Sequence, residues 1–220
     1  MPEKLRLRFS KTGRAVYLSH LDLMRTMQRA FLRAGYPLKY SEGFNPHPQI
    51  SILLPLSVGC ASVCELMDFQ LVEDVDLAEL PTRLTAVMPE GIAAQEAYPA
   101  EIKSRFLKWL RVTGRYEYDT RDLAEMAEAL RVFYARESIV ITRKTKRGMG
   151  EMDIRPAIRE LTVTPEADFV RIEAVISAQE PTLNPEHLVT ALRQLDETIA
   201  PDFAAFRREE VYHEDGGVFR

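Results

Sequence analysis

From Leu5 the chain alternates, with Leu5, Leu7 and Phe9 apolar and Arg6, Arg8 and Ser10 polar between them. A period of two belongs to a half-buried strand, here with a basic outer face, and this strand is expected to continue to about Leu18. Ser19-His20-Leu21-Asp22 then reads as a capping box in its Ser-x-x-Asp form. Leu21, Met24, Met27 and Phe31 supply the apolar stripe of a helix, which Gly35 and Pro37 end. Ile50–Leu56 and Val63–Leu71 read as strands joined by a turn at Val58-Gly59. Asp76 and Glu79 introduce a helix through Leu80, Leu84 and Val87, and a last strand runs near Ile92–Tyr98.

The second half repeats the pattern. Leu107–Tyr118 is a strand, and Thr120 is expected to cap a helix through Leu123, Met126, Leu130 and Phe133. Ser138–Lys144 and the region from Met152 to about Ser177 supply strands. Asn184-Pro185 makes a cap and first-turn pair for a helix with Leu188, Leu192 and Leu195, and Phe206–Tyr212 closes the unit. The reading is an α+β protein of two tandem ferredoxin-like (β-α-β-β-α-β) units with antiparallel sheets, residues 1–101 and 102–220.

Charge sharpens this division. The 220 residues carry a net charge of −4, which excludes a bulk polycation that coats nucleic acid by charge alone. By segment the charge is +6 over 1–50, −8 over 51–101, +6 over 102–159 and −8 over 160–220. Each unit thus has a basic first half and an acidic second half. Two cysteines, Cys60 and Cys64, make no disulfide framework or four-ligand zinc set. Met1–Ser10 lacks the apolar core of a signal peptide, and no apolar run approaches the roughly 20 residues that span a bilayer. A cytoplasmic protein without a membrane partner is expected.

The candidate chemistry collects in the basic halves. Arg25, Arg29 and Arg33 recur at i, i+4 and i+8, forming one helix stripe beside Lys11 and Arg14. Such a stripe can meet phosphates or be a solvated face, with Asp22 pairing Arg25. In Tyr40-Ser41-Glu42-Gly43-Phe44-Asn45-Pro46-His47-Pro48, the prolines push Asn45 and His47 towards extended backbone, so both face one side beside Phe44. His20 sits in the first turn of its helix, where a neutral imidazole could serve as a general base or metal ligand, paired with His47 if the fold brings them close. In the second unit, Arg143, Lys144, Lys146 and Arg147 crowd a hairpin tip, and Asp153-Ile154-Arg155-Pro156 follows. Trp109, Arg111, Thr113 and Arg115 share one strand face, interleaving an aromatic with cations as base-stacking surfaces do.

Phe9-Ser10-Lys11-Thr12-Gly13, Tyr17-Leu18-Ser19-His20-Leu21-Asp22-Leu23, Arg25, Arg29-Ala30, Ala34-Gly35, Pro37 and the Tyr40–Pro48 run resemble the radical-SAM-linked domain family. Pro55-Leu56, Gly59, Glu65, Asp68 and Asp153–Pro156 continue the likeness. Members of that family occur beside or fused to cobalamin-binding-type radical S-adenosylmethionine proteins. The resemblance transfers no catalytic assignment and implies a radical SAM partner that holds the iron–sulfur cluster and S-adenosylmethionine. No cluster-binding cysteine run, dinucleotide fingerprint or phosphate-binding loop occurs here, so no cofactor is expected in this chain, which looks like the stand-alone form. The tandem layout is also similar to CRISPR-repeat-processing endoribonucleases, as an analogy of fold.

The leading expectation is a non-catalytic adaptor that binds structured RNA such as tRNA or rRNA and works with the radical SAM partner. Lys11, Arg14, Tyr17, Asp22, Arg25, Arg29, Ser41, Glu42, Phe44, Asn45, Arg143, Lys144, Lys146, Arg147 and Arg155 are the candidate contacts. The alternatives are a metal-independent endoribonuclease using His20 and His47, and a protein-docking module without nucleic acid.

Overall fold

A computed structural model describes residues 4–145 and 148–220. The chain is α+β, with antiparallel strand pairing and four α-helices among the described residues, and it divides into two compact units. The first runs to Phe106 and takes in Arg220, and the second spans Leu107–Phe219.

In the first unit, β1 (Leu5–Lys11) leads through α1 (His20–Arg33) to β2 (Ile50–Ile52) and β3 (Ala61–Phe69), then through α2 (Leu80–Thr85) to β4 (Ile92–Pro99). The sheet order is β4-β1-β3, with β2 added beside β3, all antiparallel. The alternation in β1 explains the layering: Leu7 and Phe9 are fully buried with Met27, Phe31, Met67 and Leu84 under the helices, while Arg6 and Arg8 point to the other face. There Arg6 meets its cross-strand neighbours Asp68 and Tyr98.

The first strand is shorter than its pattern predicts. It stops at Lys11, and Gly13 (φ +54°) opens a 3-10 turn over Gly13–Tyr17. The apolar residues Ala15, Val16 and Leu18 that extended the strand pattern belong to this turn and its exit. Ser19 caps α1 as expected, its hydroxyl accepting from Asp22 N at 3.2 Å and donating to Asp22 Oδ2 at 2.6 Å. The second strand is likewise cut from Ile50–Leu56 to Ile50–Ile52.

The second unit runs β5 (Leu107–Glu117), α3 (Leu123–Tyr134), β6 (Val140–Thr145), β7 (Gly148–Asp153), β8 (Ile158–Pro165), β9 (Val170–Ser177), α4 (Glu186–Leu195) and β10 (Phe203–His213). Its sheet order is β10-β5-β9-β8, again antiparallel. The expected strand over Ser138–Lys144 does not join that sheet. As β6 it pairs with β7 in a separate two-stranded hairpin, closed at its base by Ile154 N donating to Ile139 O at 2.9 Å. Its outer strand is held by the Gln194 amide, which accepts from Thr142 N and donates to Thr142 O, both at 2.8 Å. The helix expected to start at Thr120 is capped by Asp122, whose carboxylate accepts from Ala124 N and Glu125 N at 2.9 Å each.

No helix among the described residues is long and apolar enough to cross a membrane.

Candidate functional site

The turn between β1 and α1 is built around a buried ammonium. Lys11, 1% exposed, donates from Nζ to Val16 O at 3.1 Å and Leu18 O at 3.0 Å. Burial holds its pKa below the ordinary lysine value, opposed by the nearby Glu65 and Cys60. Lys11 is therefore a brace for the turn rather than a surface contact. Gly59 N adds a bond to Val16 O at 2.9 Å, and Thr12 N donates to Gly91 O at 2.7 Å. These bonds tie the 55–60 and 89–91 loops to the same turn. On it Arg14 and Tyr17 stand three residues apart, the spacing at which 3-10 side chains eclipse. Both are exposed, Tyr17 at 73%.

Along α1 the predicted arginine stripe is present in part. Arg25 is exposed and only loosely paired to Asp22, at 3.5 Å, and Arg29 is exposed. Arg33 is occupied, its Nη2 donating to Val87 O at 2.7 Å. His20 is exposed in the first turn of α1.

The 41–48 loop is set elsewhere. Tyr40 bridges Pro48, Leu38 bridges Leu71, and Gln70 N donates to Gln49 O, so its base adjoins the last residues of β3. Within it, Ser41 Oγ accepts from His47 N at 3.1 Å and lies 2.9 Å from His47 Nδ1. Nδ1 also lies 3.4 Å from Asn45 O, so groups of the loop itself occupy that side of the imidazole. Glu42, Phe44, Asn45 and His47 are all exposed, and Phe44 has no cover at all, at 112%.

The structure does not bring His20 and His47 together. Lys11, on the His20 side, is opposite Ser62 at the start of β3, while the loop base lies beside Phe69–Gln70 at its other end. Seven residues of strand separate these levels by about 23 Å, and α1 spans about 21 Å between its own ends. Phe44 and Asn45 lie with His47, whereas Arg14, Tyr17, Asp22 and Arg25 lie with His20.

In the second unit, Trp109, Arg111, Thr113 and Arg115 do share the face opposite the buried Leu110, Val112 and Tyr116. The arginines there already have local partners. Arg115 Nε bonds Glu117 at 2.6 Å and its guanidinium lies 4.2 Å from the Phe169 ring, and Arg111 lies 5.7 Å from Tyr212. Thr113 donates to Glu209 at 2.5 Å, which also holds Arg207 at 2.6 Å. Carboxylates thus interleave a face that the sequence suggests is basic. Arg143 and Lys144 flank the hairpin tip on β6, and Lys146 and Arg147 lie outside the described residues. Burial, with a smaller contribution from the Arg143 charge, holds the His187 imidazole below its ordinary pKa.

Asp153 organises the turn after β7, accepting from Ile139 N, Arg155 N and the Ser138 hydroxyl at 2.8–3.0 Å. Those bonds, the Ile139 amide first, lower its pKa. Arg155 Nη1 in turn donates to Ile158 O at 2.9 Å. Sequence reasoning missed Arg131 and Arg159, which line a cavity with Arg155. Neither belongs to a charge run or motif, and only the packing of α3 on β8 joins them.

No group of three metal-ligating side chains is found among the described residues. What the fold defines is an α+β protein of two antiparallel-sheet units that displays polar and aromatic groups on its turns. The chain belongs to the family described as an uncharacterized protein conserved in bacteria (DUF2344), whose model matches residues 4–185. No curated protein matches it. Among solved structures, an unknown protein from Galdieria sulphuraria is similar at 11% identity, covering 94% of this chain and 99% of its own, with a TM-score of 0.27. Thermus thermophilus Cse3, bound to an RNA representing a pre-cleavage complex, is similar at 15% identity over 93% and 98%, with a TM-score of 0.21. TM-scores this low do not establish a common fold.

Proposed function

We propose that this protein is a non-catalytic adaptor of two ferredoxin-like units that binds structured RNA, such as tRNA or rRNA, and works in the cytoplasm with a radical SAM partner protein. The observation that carries the reading is the separation of two displays on the first unit. Arg14, Tyr17, Arg25 and Arg29 collect on the braced turn and the outer face of α1, where cations beside an exposed aromatic suit phosphates and an unpaired base. Phe44 stands on its own rigid loop at the far end, where a bare aromatic suits a pocket of a partner protein. The ferredoxin-like assignment is supported by the common strand order of the two sheets, fourth-first-third-second when the β6–β7 hairpin is set aside. The endoribonuclease alternative is not carried forward, because its two histidines lie at opposite ends of the unit.

The test is anisotropy of a labelled tRNA across a salt series, with an Arg14/Arg25/Arg29→Glu variant. Binding that weakens steeply with salt and is lost in the variant is expected. Salt-independent or variant-insensitive binding refutes the RNA part. Copurification with a radical SAM protein, reduced by Phe44→Ala, tests the partner part.

A further inference from the structure

We propose that a second copy of this chain docks on the outer face of α3, presenting its own α1. The buried side of α3 is Ala127, Leu130, Phe133 and Tyr134. Its opposite side carries Glu125, Glu128 and Val132 at i, i+3 and i+7, aligned in one stripe. All three are exposed, Val132 at 64%. Beside the stripe, between α3 and the 196–199 turn, lies an open groove of about 460 Å³ whose walls include Phe133, Ile199 and Asp196. The cation at its edge is Arg136, which lies 4.4 Å from the Phe133 ring. An apolar floor with a mainly acidic rim fits a partner surface of apolar and basic side chains.

The chain carries that surface itself, on α1. With Leu23, Met27, Ala30 and Phe31 buried, the solvent side of α1 presents Leu21, Arg25, Gln28 and Leu32, with Arg29 alongside. Leu21 is 64% and Leu32 74% exposed. A single exposed leucine needs no explanation, but here two bracket a pair of arginines at the helical repeat. The steps of 4, 3 and 4 residues from Leu21 to Leu32 fit α3 in either direction. Antiparallel, Leu21 meets Val132, Arg25 meets Glu128, and Arg29 lies by Glu125. Parallel, Leu32 meets Val132, Arg25 meets Glu125, and Arg29 lies by Glu128. The bonds to be exchanged are weak ones: Asp22 holds Arg25 at 3.5 Å, and Glu128 holds Arg131 at 2.8 Å, both as exposed i,i+3 pairs, a kind that contributes little. The contact joins two different faces, so it is heterologous and can pass from copy to copy. It holds whether or not the RNA reading does, but the two uses of Arg25 and Arg29 exclude one another, since a copy seated on α1 closes it to phosphates.

The experiment is analytical ultracentrifugation of the full chain, free of nucleic acid, across a concentration and salt series. The expected result is an average mass that rises with concentration above that of one chain and falls back as salt is added. Arg25→Glu with Arg29→Glu, or Glu125→Arg with Glu128→Arg, is expected to weaken association about tenfold or more. All four changes in one chain are expected to restore it, because every contact is then paired again with its signs exchanged. Leu21→Ser and Leu32→Ser are compared in turn, and the one that weakens association gives the direction of α1. These side chains lie on outer faces, so unchanged circular dichroism and thermal unfolding separate lost docking from lost folding. A chain that stays monomeric at every concentration leaves the α3 groove to a different basic partner and overturns docking of a second copy. An association indifferent to reversal on either helix, or one that the combined reversal fails to restore, overturns it as well. No RNA is present in these measurements, so their failure is distinct from a failure of tRNA binding.

Discussion

Arg6 Nε reaches Asp68 Oδ1 at 2.7 Å with the two side chains 1% and 3% exposed. Arg6 Nη2 adds Asp68 Oδ2 at 3.3 Å and Ile102 O at 2.9 Å, and Lys4 Nζ approaches the same carboxylate at 2.6 Å. A buried pair is weak evidence of net stabilisation, but breaking one is costly because the surviving charge stays buried. Asp68→Ala is expected to lose about 3–5 kcal/mol in urea denaturation. Asp68→Asn, which keeps acceptor capacity, is expected to lose less. A change within 1 kcal/mol for the alanine variant would show that Arg6 finds other compensation.

Lys11 gives a stability difference that depends on pH. Burial lowers its pKa in the folded state, so between that lowered value and the ordinary 10.5 the unfolded chain binds more protons, and stability rises with pH across that window. The urea stability of the native chain minus that of Lys11→Met is expected to grow as pH climbs towards 10.5. A flat difference would contradict it. The variant also removes the side-chain donor from Leu18 O and one of the two donors on Val16 O, so it is expected to be the less stable protein throughout.

Asp153 should behave in the opposite sense. Its carboxylate is held ionised by two amides and a hydroxyl, with a pKa below the ordinary 3.8. The stabilisation is complete above that ordinary value and is lost as pH falls through the lower, folded value. Thermal unfolding of Asp153→Asn against the native chain is expected to show a gap at pH 6 that closes in acid. A gap that persists in strong acid would assign the effect to shape rather than charge.

The Ser41 hydroxyl is what orders His47. Ser41→Ala is expected to leave global stability within about 0.5 kcal/mol, as for most surface changes, while hydrogen exchange at the His47 amide accelerates. If exchange there is unchanged, the rigidity of the loop comes from its prolines alone.

Much of the architecture was legible because burial in this chain follows simple periods. The β1 alternation and the Ser19 cap appear where the patterns put them, and the helix stripes do in part: Met27 and Phe31 of α1 and Leu188 and Leu192 of α4 are buried, while Leu21 and Leu195 are exposed and Leu23 takes the place of Leu21 in the core. The misses share one cause: an apolar run does not say where a strand must stop. Leu18 looked like strand because Val16 and Leu18 are apolar, yet Lys11 turns the chain by binding their carbonyls. Ser138–Lys144 looked like a sheet strand because Ile139 and Ile141 are buried, but they serve the base and inner side of a hairpin.

The candidate residues fared unevenly for a physical reason. Local features such as the Ser41–Pro48 loop could be read from proline and glycine positions. Grouping them required the third dimension, which put His20 and His47 at opposite ends of one sheet. The same is true of the cavity lining, where Arg131 and Arg155 border one space only because α3 lies on β8.

The hairpin of β6 and β7 leaves and re-enters the second unit at nearly one point, since Ile139 and Ile154 are joined by a backbone bond. It behaves as a cassette, plugged into a scaffold whose strand order does not depend on it. A tip of different length or charge can therefore be carried there without a change in the order of the main strands.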